Sequence, residues 1–462
     1  MTAPAADTTA RSRVWALAVP VILANLSVPL LGMVDTAVMG HLDSPAYLGA
    51  VAIGSLLFSY LYWGFGFLRM GTTGPTAQAM GAGDGAEARA VFGRAFLIGV
   101  TVALLLWAAQ VPVQAIAFAL LDGSDEVEAL AAEYFTIRIW SAPAALVQFA
   151  QIGWLMGLGR AKAVLAQQVV ANILNICLNL AFVLGLGMDV DGVALATVIA
   201  EYAGMAVGFL LMRSSLRALP GRWSRDRLLD PRRLRRLVGV NGDIFIRTLC
   251  LISAFAWFTA QGAQAGDVTL AANAVLLTFL TIASYALDGF AHAAETLVGG
   301  AVGAGDRRAL GEAVRASTGL AVTMAAAISA LFLVAGTPLI HLLTGLPEVR
   351  AAAGEALPWA IVLPLVAVWG FQFDGIFLGA TESRPLSTMM VLCLGAFLGL
   401  SWLLLPLWGN HGLWAAFTAF MALRGVSLGL LYPALARRVA VNGRPAADSP
   451  PAIPPAAPSP PA

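Results

Sequence analysis

Residues 80–84 read MGAGD and residues 302–306 read VGAGD, each closing a long apolar run, and this return after 222 residues decides how the chain is divided. The same shift lays Gly153 and Gly157 on Gly375 and Gly379, Leu48 on Leu270, and Gly187 on Gly409. One or two glycine matches arise by chance. Several registers at one offset imply a half-chain repeat, an arrangement that membrane transporters use to build a site between or within two lobes.

Composition says which solvent the repeat was built for. Of 462 residues, 59% are hydrophobic and 11% charged, against about 25% charged in soluble domains, and the mean hydropathy is +0.81. A bilayer-spanning helix needs about 20 mostly apolar residues. Twelve such runs lie near 14–41, 46–68, 91–121, 131–157, 163–187, 192–212, 240–262, 268–300, 317–343, 356–380, 386–408 and 412–434. The expected fold is therefore an all-α membrane protein, twelve transmembrane helices in two pseudo-symmetric six-helix lobes. Six is even, so both lobes enter from the same face and the repeat is parallel. The expected division is an N-terminal tail over 1–12, an N-lobe over 13–213, a basic linker over 214–239, a C-lobe over 240–436 and a Pro/Ala-rich tail over 437–462. That last stretch has no apolar periodicity and is expected to be disordered. The first run is too long for a signal-peptide core and is read as a retained helix.

Basic residues orient the bundle, because Lys and Arg stay on the cytoplasmic side. Arg69, Arg89 and Arg94 flank the second connection, and Arg160 and Lys162 lie in the fourth. The sixth runs from Arg213 through Arg222 and Arg233 to Arg247; Arg307, Arg308 and Arg315 mark the eighth, and Arg437 and Arg438 follow the last helix. The third connection instead carries Asp122, Asp125, Glu126 and Glu128. Both termini are thus expected in the cytoplasm, and the protein in the plasma (inner) membrane. Arg138 and Arg424 fall inside helices and break the pattern. The net charge of +1 argues against a nucleic-acid partner. Cys177, Cys250 and Cys393 sit in apolar runs without metal-ligand spacing. No hydrolase, metalloprotease or P-loop signature occurs, so no enzyme, cofactor or structural metal is expected.

An ionisable side chain inside a membrane helix costs roughly 2.5 to 3.5 kcal/mol on insertion scales and marks function by default. Asp35, in LLGMVDTAVMGHL, is the clearest case, with no basic residue in its own run to neutralise it. Pro20 and Pro29 each remove an intrahelical hydrogen bond from that helix and give it a means to bend. In the fifth run Asn172, Asn175 and Asn179 follow at i, i+3 and i+7, one face that lipid would reject. Thr197 and, one turn later, Glu201 offer a matching polar edge in the sixth. The second half places Asp288, His292 and Glu295 on one side of a helix, and Asp374 in FQFDGIFLGA. At the 222 offset Asp35 falls on Trp257, so the halves differ in charge.

These stretches, MVDTAVMGHLDSPAYLGAVAIG (33–54), FLRMGTTGPTAQAMGAGD (67–84), GVALATVIAEY (192–202), DIFIRTL (243–249), ALDGFAHAAE (286–295) and FDGIFLGA (373–380), resemble the multidrug and toxic compound extrusion (MATE) family, in its DinF-like branch. The resemblance implies a two-lobe exporter in which a helix 1 acid, matched by Asp35, takes up a proton or Na⁺ while a typically cationic, amphipathic compound leaves. It matches the family's kink proline to Pro20, its helix 5 pair to Asn175 and Asn179, its helix 6 threonine to Thr197 and its NorM-like second-lobe acid to Asp374. Where the family commonly has an acid in helix 5, this chain has Asn179. Losing that carboxylate weakens a possible Na⁺ site at Asp35, Asn175, Asn179 and Thr197, so H⁺ is the expected coupling ion. The expected function is proton-coupled antiport of drug-like small molecules by a monomer in the lipid bilayer. The alternatives are Na⁺-coupled drug antiport and a lipid-linked saccharide flippase of related architecture.

Overall fold

The computed structural model describes residues 5–39, 45–119 and 124–442; within these, the side chains of 5–9, 28–31, 33, 35–37, 45, 117, 119 and 439–442 lie outside the described set. Of the tail expected over 437–462, residues 437–442 instead continue the last helix, and the rest lie outside the described set, as do the first four residues. All regular structure described is helical. In order come α1 (Ala5–Met39), α2 (Pro45–Gly64), α3 (Phe67–Gly81), α4 (Gly85–Ala108), α5 (Gln110–Ala119), α6 (Asp125–Arg138), α7 (Ala142–Gly157), α8 (Ala161–Asn179) and α9 (Val190–Ala218). Then follow α10 (Arg225–Leu228), α11 (Pro231–Gln264), α12 (Asp267–Ala304), α13 (Arg307–Leu343), α14 (Pro347–Gly379), α15 (Ser383–Trp408) and α16 (Asn410–Asn442).

Among the described residues, 10 helical runs are long and apolar enough to cross a membrane. The first and fourth expected runs are not among them. The first, α1, includes positions outside the described set. The fourth is split: α6 carries Asp125, Glu126, Glu128, Glu133 and Arg138, a 3-10 turn follows at Ile139–Ser141, and α7 begins again with Pro143 near its first turn, where a missing N–H costs nothing. Another break separates α2 from α3 at Phe65 and Gly66, and α8 passes directly into a π-helical segment at Leu180–Gly185.

The boundary glycines repeat at the sequence offset. Six of the eight described residues with positive φ fall in pairs 222 apart: Gly83 with Gly305, Gly159 with Thr381, and Gly187 with Gly409. In each Gly-Ala-Gly-Asp motif the left-handed glycine ends one helix and the aspartate starts the next. Asp84 accepts from the Glu87 N–H at 3.0 Å, and Asp306 accepts from the N–H groups of Arg308 and Ala309 at 2.9 and 3.0 Å, satisfying donors that a helix start leaves orphaned. Packing repeats as well. Gly153 of α7 lies against the Arg69 carbonyl of α3 and Gly157 against that of Thr73, while Gly375 of α14 lies against the Ala291 carbonyl of α12 and Gly379 against that of Glu295. A Cβ at any of these four positions would strike the neighbouring backbone.

Contacts between the two halves gather toward the end of the bundle where the arginine-rich connections lie. Gly81 abuts the Gly300 carbonyl, Gly303 abuts that of Gln78, and Gly289 lies against Ile22 of α1. Gln78 donates to the Gly379 carbonyl at 2.8 Å, and Thr296 to that of Met156 at 3.0 Å. One buried cluster, including Val14, Leu17, Trp154, Leu287 and Phe290, draws on both halves, whereas separate cores around Phe58, Tyr134 and Phe135 and around Phe258, Phe397, Trp414 and Phe417 belong to one half each. The outer face carries Val334, Leu342, Trp402 and Leu430, each at least three-quarters exposed, the surface a lipid solvent permits and water would not.

The expected linker over 214–239 is shorter and more ordered than its charge suggests. α9 continues to Ala218, and α11 already begins at Pro231, because Asp230 accepts from the N–H groups of Arg232 and Arg233 at 2.9 and 3.3 Å and Pro231 occupies the first helical position. Trp223 and Leu228 lie on Gly93 of α4, and Arg227 grips both Asp84 oxygens at 2.8 and 2.7 Å. Partial burial works to raise the Asp84 carboxyl, but the Arg227 guanidinium and the Glu87 amide outweigh it and hold it below its ordinary value of 3.8. A depressed carboxyl stabilises the docked linker above 3.8, and that contribution disappears as pH falls through the folded value. Protease nicking of the linker is therefore expected to rise several-fold in Asp84→Asn at neutral pH, and in the wild type only below about pH 4. Equal nicking of both at pH 7 would show the ion pair to be unimportant.

Candidate functional site

The amide stripe of α8 turns inward. Asn179 donates to Asn175 Oδ1 at 2.9 Å, Asn175 donates to Thr197 Oγ1 on α9 at 3.0 Å, and Thr197 donates onward to the Val193 carbonyl at 3.0 Å. One turn earlier Asn172 donates to Ser27 Oγ on α1 at 2.7 Å. Asn175, Asn179 and Thr197 are buried, and the π segment starts at the residue after Asn179, a placement common at functional sites. The stripe thus joins α8 to α9 and α1 through neutral groups. Asp35 lies on α1 eight residues beyond Ser27, about 12 Å along the axis; its side chain, like that of Pro29, lies outside the described residues. Pro20 is buried, and α1 runs as one helix through both prolines.

Glu201 does not join this network through any described hydrogen bond. Its carboxylate lies 4.0 Å from Arg138, whose guanidinium donates to the Tyr134 hydroxyl and covers the Phe58 and Tyr134 rings at 5.1 and 5.5 Å. The Tyr62 hydroxyl meets Ser141 Oγ at 3.0 Å beside it. The acid named from sequence is one half of a partly buried pair, and the other half is an arginine that broke the topology pattern.

The second half holds a larger charged cluster. Asp374 of α14 has a side chain only 7% exposed, and its Oδ2 is shared by Arg247 of α11 and by Arg424 of α16, the latter at 2.8 Å. This corrects one expectation: Arg247 is not part of the basic connection but lies buried well inside α11. Asp374 is held by two arginines. Nearby on α12, His292 Nδ1 lies 3.1 Å from an Arg69 nitrogen and 3.5 Å from the Glu295 carboxylate, so Arg69 reaches from α3 across to the other half. Asp288 is half-buried one turn away. Trp257, the counterpart of Asp35, donates instead to Ser401 at 3.0 Å. Sequence reasoning named every acid here and missed every arginine partner. The available signal was position: Arg69 falls twelve residues before the end of its run at Gly81, about 18 Å into the bundle.

Among the described residues no three His, Cys, Asp or Glu side chains converge as a metal cage would require. Asn175 and Thr197 offer neutral oxygens that already accept from Asn179 and Asn175.

The MatE family model matches residues 20–181 and, a second time, 244–403. The chain belongs to the MatE family. Among MatE relatives, DNA damage-inducible protein F of Escherichia coli (strain K12) is 42% identical over 427 residues, covering 92% of each chain. A probable multidrug resistance protein NorM of Rhizobium meliloti (strain 1021) is 28% identical over 448 residues, covering 92% of this chain and 93% of that one. The fold matches an outward-facing multidrug resistance MATE family transporter with a TM-score of 0.82 at 18% identity, covering 93% and 96% of the two chains. A variant of the Vibrio cholerae MATE transporter VcmN matches with 0.83 at 20% identity, covering 94% and 99%. This MatE chain is accordingly an integral membrane protein of the multidrug transporter fold, related to DinF.

Proposed function

We propose that this MatE protein is a proton-coupled multidrug exporter with twelve spans in two six-helix lobes, acting as a monomer in the plasma (inner) membrane with both termini cytoplasmic. The 222-residue pairing of left-handed residues and of glycine–carbonyl contacts supports the two lobes. With the arginine end cytoplasmic, the inter-lobe contacts seal that side, and the state described is outward-facing.

The observation that carries the mechanism is the chain from Asn179 through Asn175 to Thr197, with Asn172 holding Ser27 of α1, the helix that bears Asp35. Deprotonated Asp35 holds a cationic, amphipathic compound. A proton arriving from outside removes the charge, loosens α1 from the amide stripe and releases the compound. To swing such a two-state equilibrium nearly completely takes about 5.5 kcal/mol of differential affinity, within reach of one charge interaction in a poorly screened site. Neutral oxygens at Asn175, Asn179 and Thr197 favour H⁺ over Na⁺, and the buried guanidiniums are taken up by acids or, for Arg89, by backbone carbonyls, which disfavours a pyrophosphate-binding flippase. Proteoliposomes holding the protein inside-out, in a medium that contains a cationic dye, test this: an acidic lumen should drive dye uptake, and a Na⁺ gradient of equal size should not. Uptake driven by Na⁺ alone, or by neither, would overturn the assignment.

A further inference from the structure

The two halves treat one groove differently. In the first half the surface of α4 at Gly85, Ala86 and Gly93 is covered by the chain itself: Pro220 lies on Gly85, Gly221 on Ala86, and Trp223 and Leu228 on Gly93. The linker arginines are answered there too, Arg227 by Asp84 and Arg233 by Glu87. Shifted by 222 residues these three positions become Arg307, Arg308 and Arg315 of α13. Nothing among the described residues covers them. Two adjoining cavities of about 600 and 340 Å³ run between α13, α14 and α16, rimmed by the three arginines and walled by Tyr432, Phe373 and Trp369. Arg308 is paired with Glu312 at 2.9 Å; among the described residues Arg307 and Arg315 have no carboxylate within ion-pairing distance.

We propose that this groove is a binding site for an anionic phospholipid of the cytoplasmic leaflet. From Arg307 to Gly319 the groove follows twelve residues of α13, about 18 Å, from the helix end toward mid-bilayer, so a phosphate at the arginines directs its acyl chain past Tyr432 and Phe373 to Trp369. Basic pockets between membrane helices on the cytoplasmic side have this chemistry. The chain segment beyond Asn442 fits it poorly: residues 443–462 carry one acid, Asp448, and one large aliphatic, Ile453, with no aromatic to replace what Trp223 does in the first half. The proposal depends on the orientation above only for the choice of leaflet, and not on proton coupling.

The full chain purified from bilayers of equal parts phosphatidylcholine and phosphatidylglycerol is examined by native mass spectrometry for retained lipid, alongside Arg307→Gln/Arg315→Gln. The wild type should retain phosphatidylglycerol over phosphatidylcholine, and the double variant should lose that preference by about thirtyfold, from about 1 kcal/mol for each arginine near an anionic surface. Both arginines are exposed, so the variant should fold, which an unchanged melting temperature in a zwitterionic detergent verifies. Equal preference in variant and wild type overturns the proposal. So does a full chain that holds no lipid while a chain ending at Asn442 does, since the groove would then belong to the tail.

Discussion

Asp35→Asn is expected to abolish pH-driven efflux, lowering the initial rate by at least about 100-fold, while the protein inserts and folds as before. The substitution is nearly isosteric and removes only the charge that a cationic substrate and an incoming proton compete for. A tenfold change in rate corresponds to about 1.4 kcal/mol, so a hundredfold loss asks about 2.7 kcal/mol of that contact, modest for an ion pair out of bulk water. The join of α8 to α9 should survive, because Asn175 reaches Thr197 without Asp35. Dye efflux from vesicles under an imposed pH gradient is the measurement. Full-rate export by the variant would remove Asp35 from the mechanism altogether.

The largest stability effect should come from the other half. Replacing Asp374 by Ala leaves two guanidiniums, Arg247 and Arg424, buried without their shared carboxylate, and removing one partner of a buried charge set typically costs about 3–5 kcal/mol. Simultaneous replacement by apolar residues, Asp374→Leu with Arg247→Met and Arg424→Met, should cost much less, because desolvation of all three charges disappears together. Arg424 lies over the Phe371 and Phe420 rings at 5.9 Å, so methionine has an aromatic surface to pack on. Chemical denaturation of the detergent-solubilised protein separates the cases. A single variant as stable as the wild type would mean that water reaches the cluster freely.

The apolar helices were legible because a membrane helix declares itself by length and apolarity alone, and the paired turns because Gly-Ala-Gly-Asp supplies a left-handed glycine and a capping aspartate at both its positions. The amide stripe was legible for a similar reason: i, i+3 and i+7 define a face whatever the neighbours are. Pairing was not. Arg138, Arg247 and Arg424 each stand on a long stem that can reach in either direction, and nothing local says that Arg247 finds a carboxylate 127 residues away. Nor does spacing reveal that Glu201 is matched by an arginine at the end of α6, since that meeting depends on how α6 and α9 cross. The split fourth run was also hidden, because the acids of α6 and the turn at Ile139–Ser141 interrupt a stretch whose average still reads as apolar.

The seam where Gly81 meets Gly300 and Gly303 meets Gln78 is backbone against backbone, with no flexible side chain between. Such a joint has no intermediate stops: the two surfaces are either in register or parted, as close-packed interfaces are two-state rather than compliant. If the protein is the coupled exporter proposed above, a joint closed in this way resists slippage, because ions have no partly open route by which to dissipate the gradient between cycles. One methyl group at Gly81 would prop the joint ajar and turn an economical machine into a leaky one.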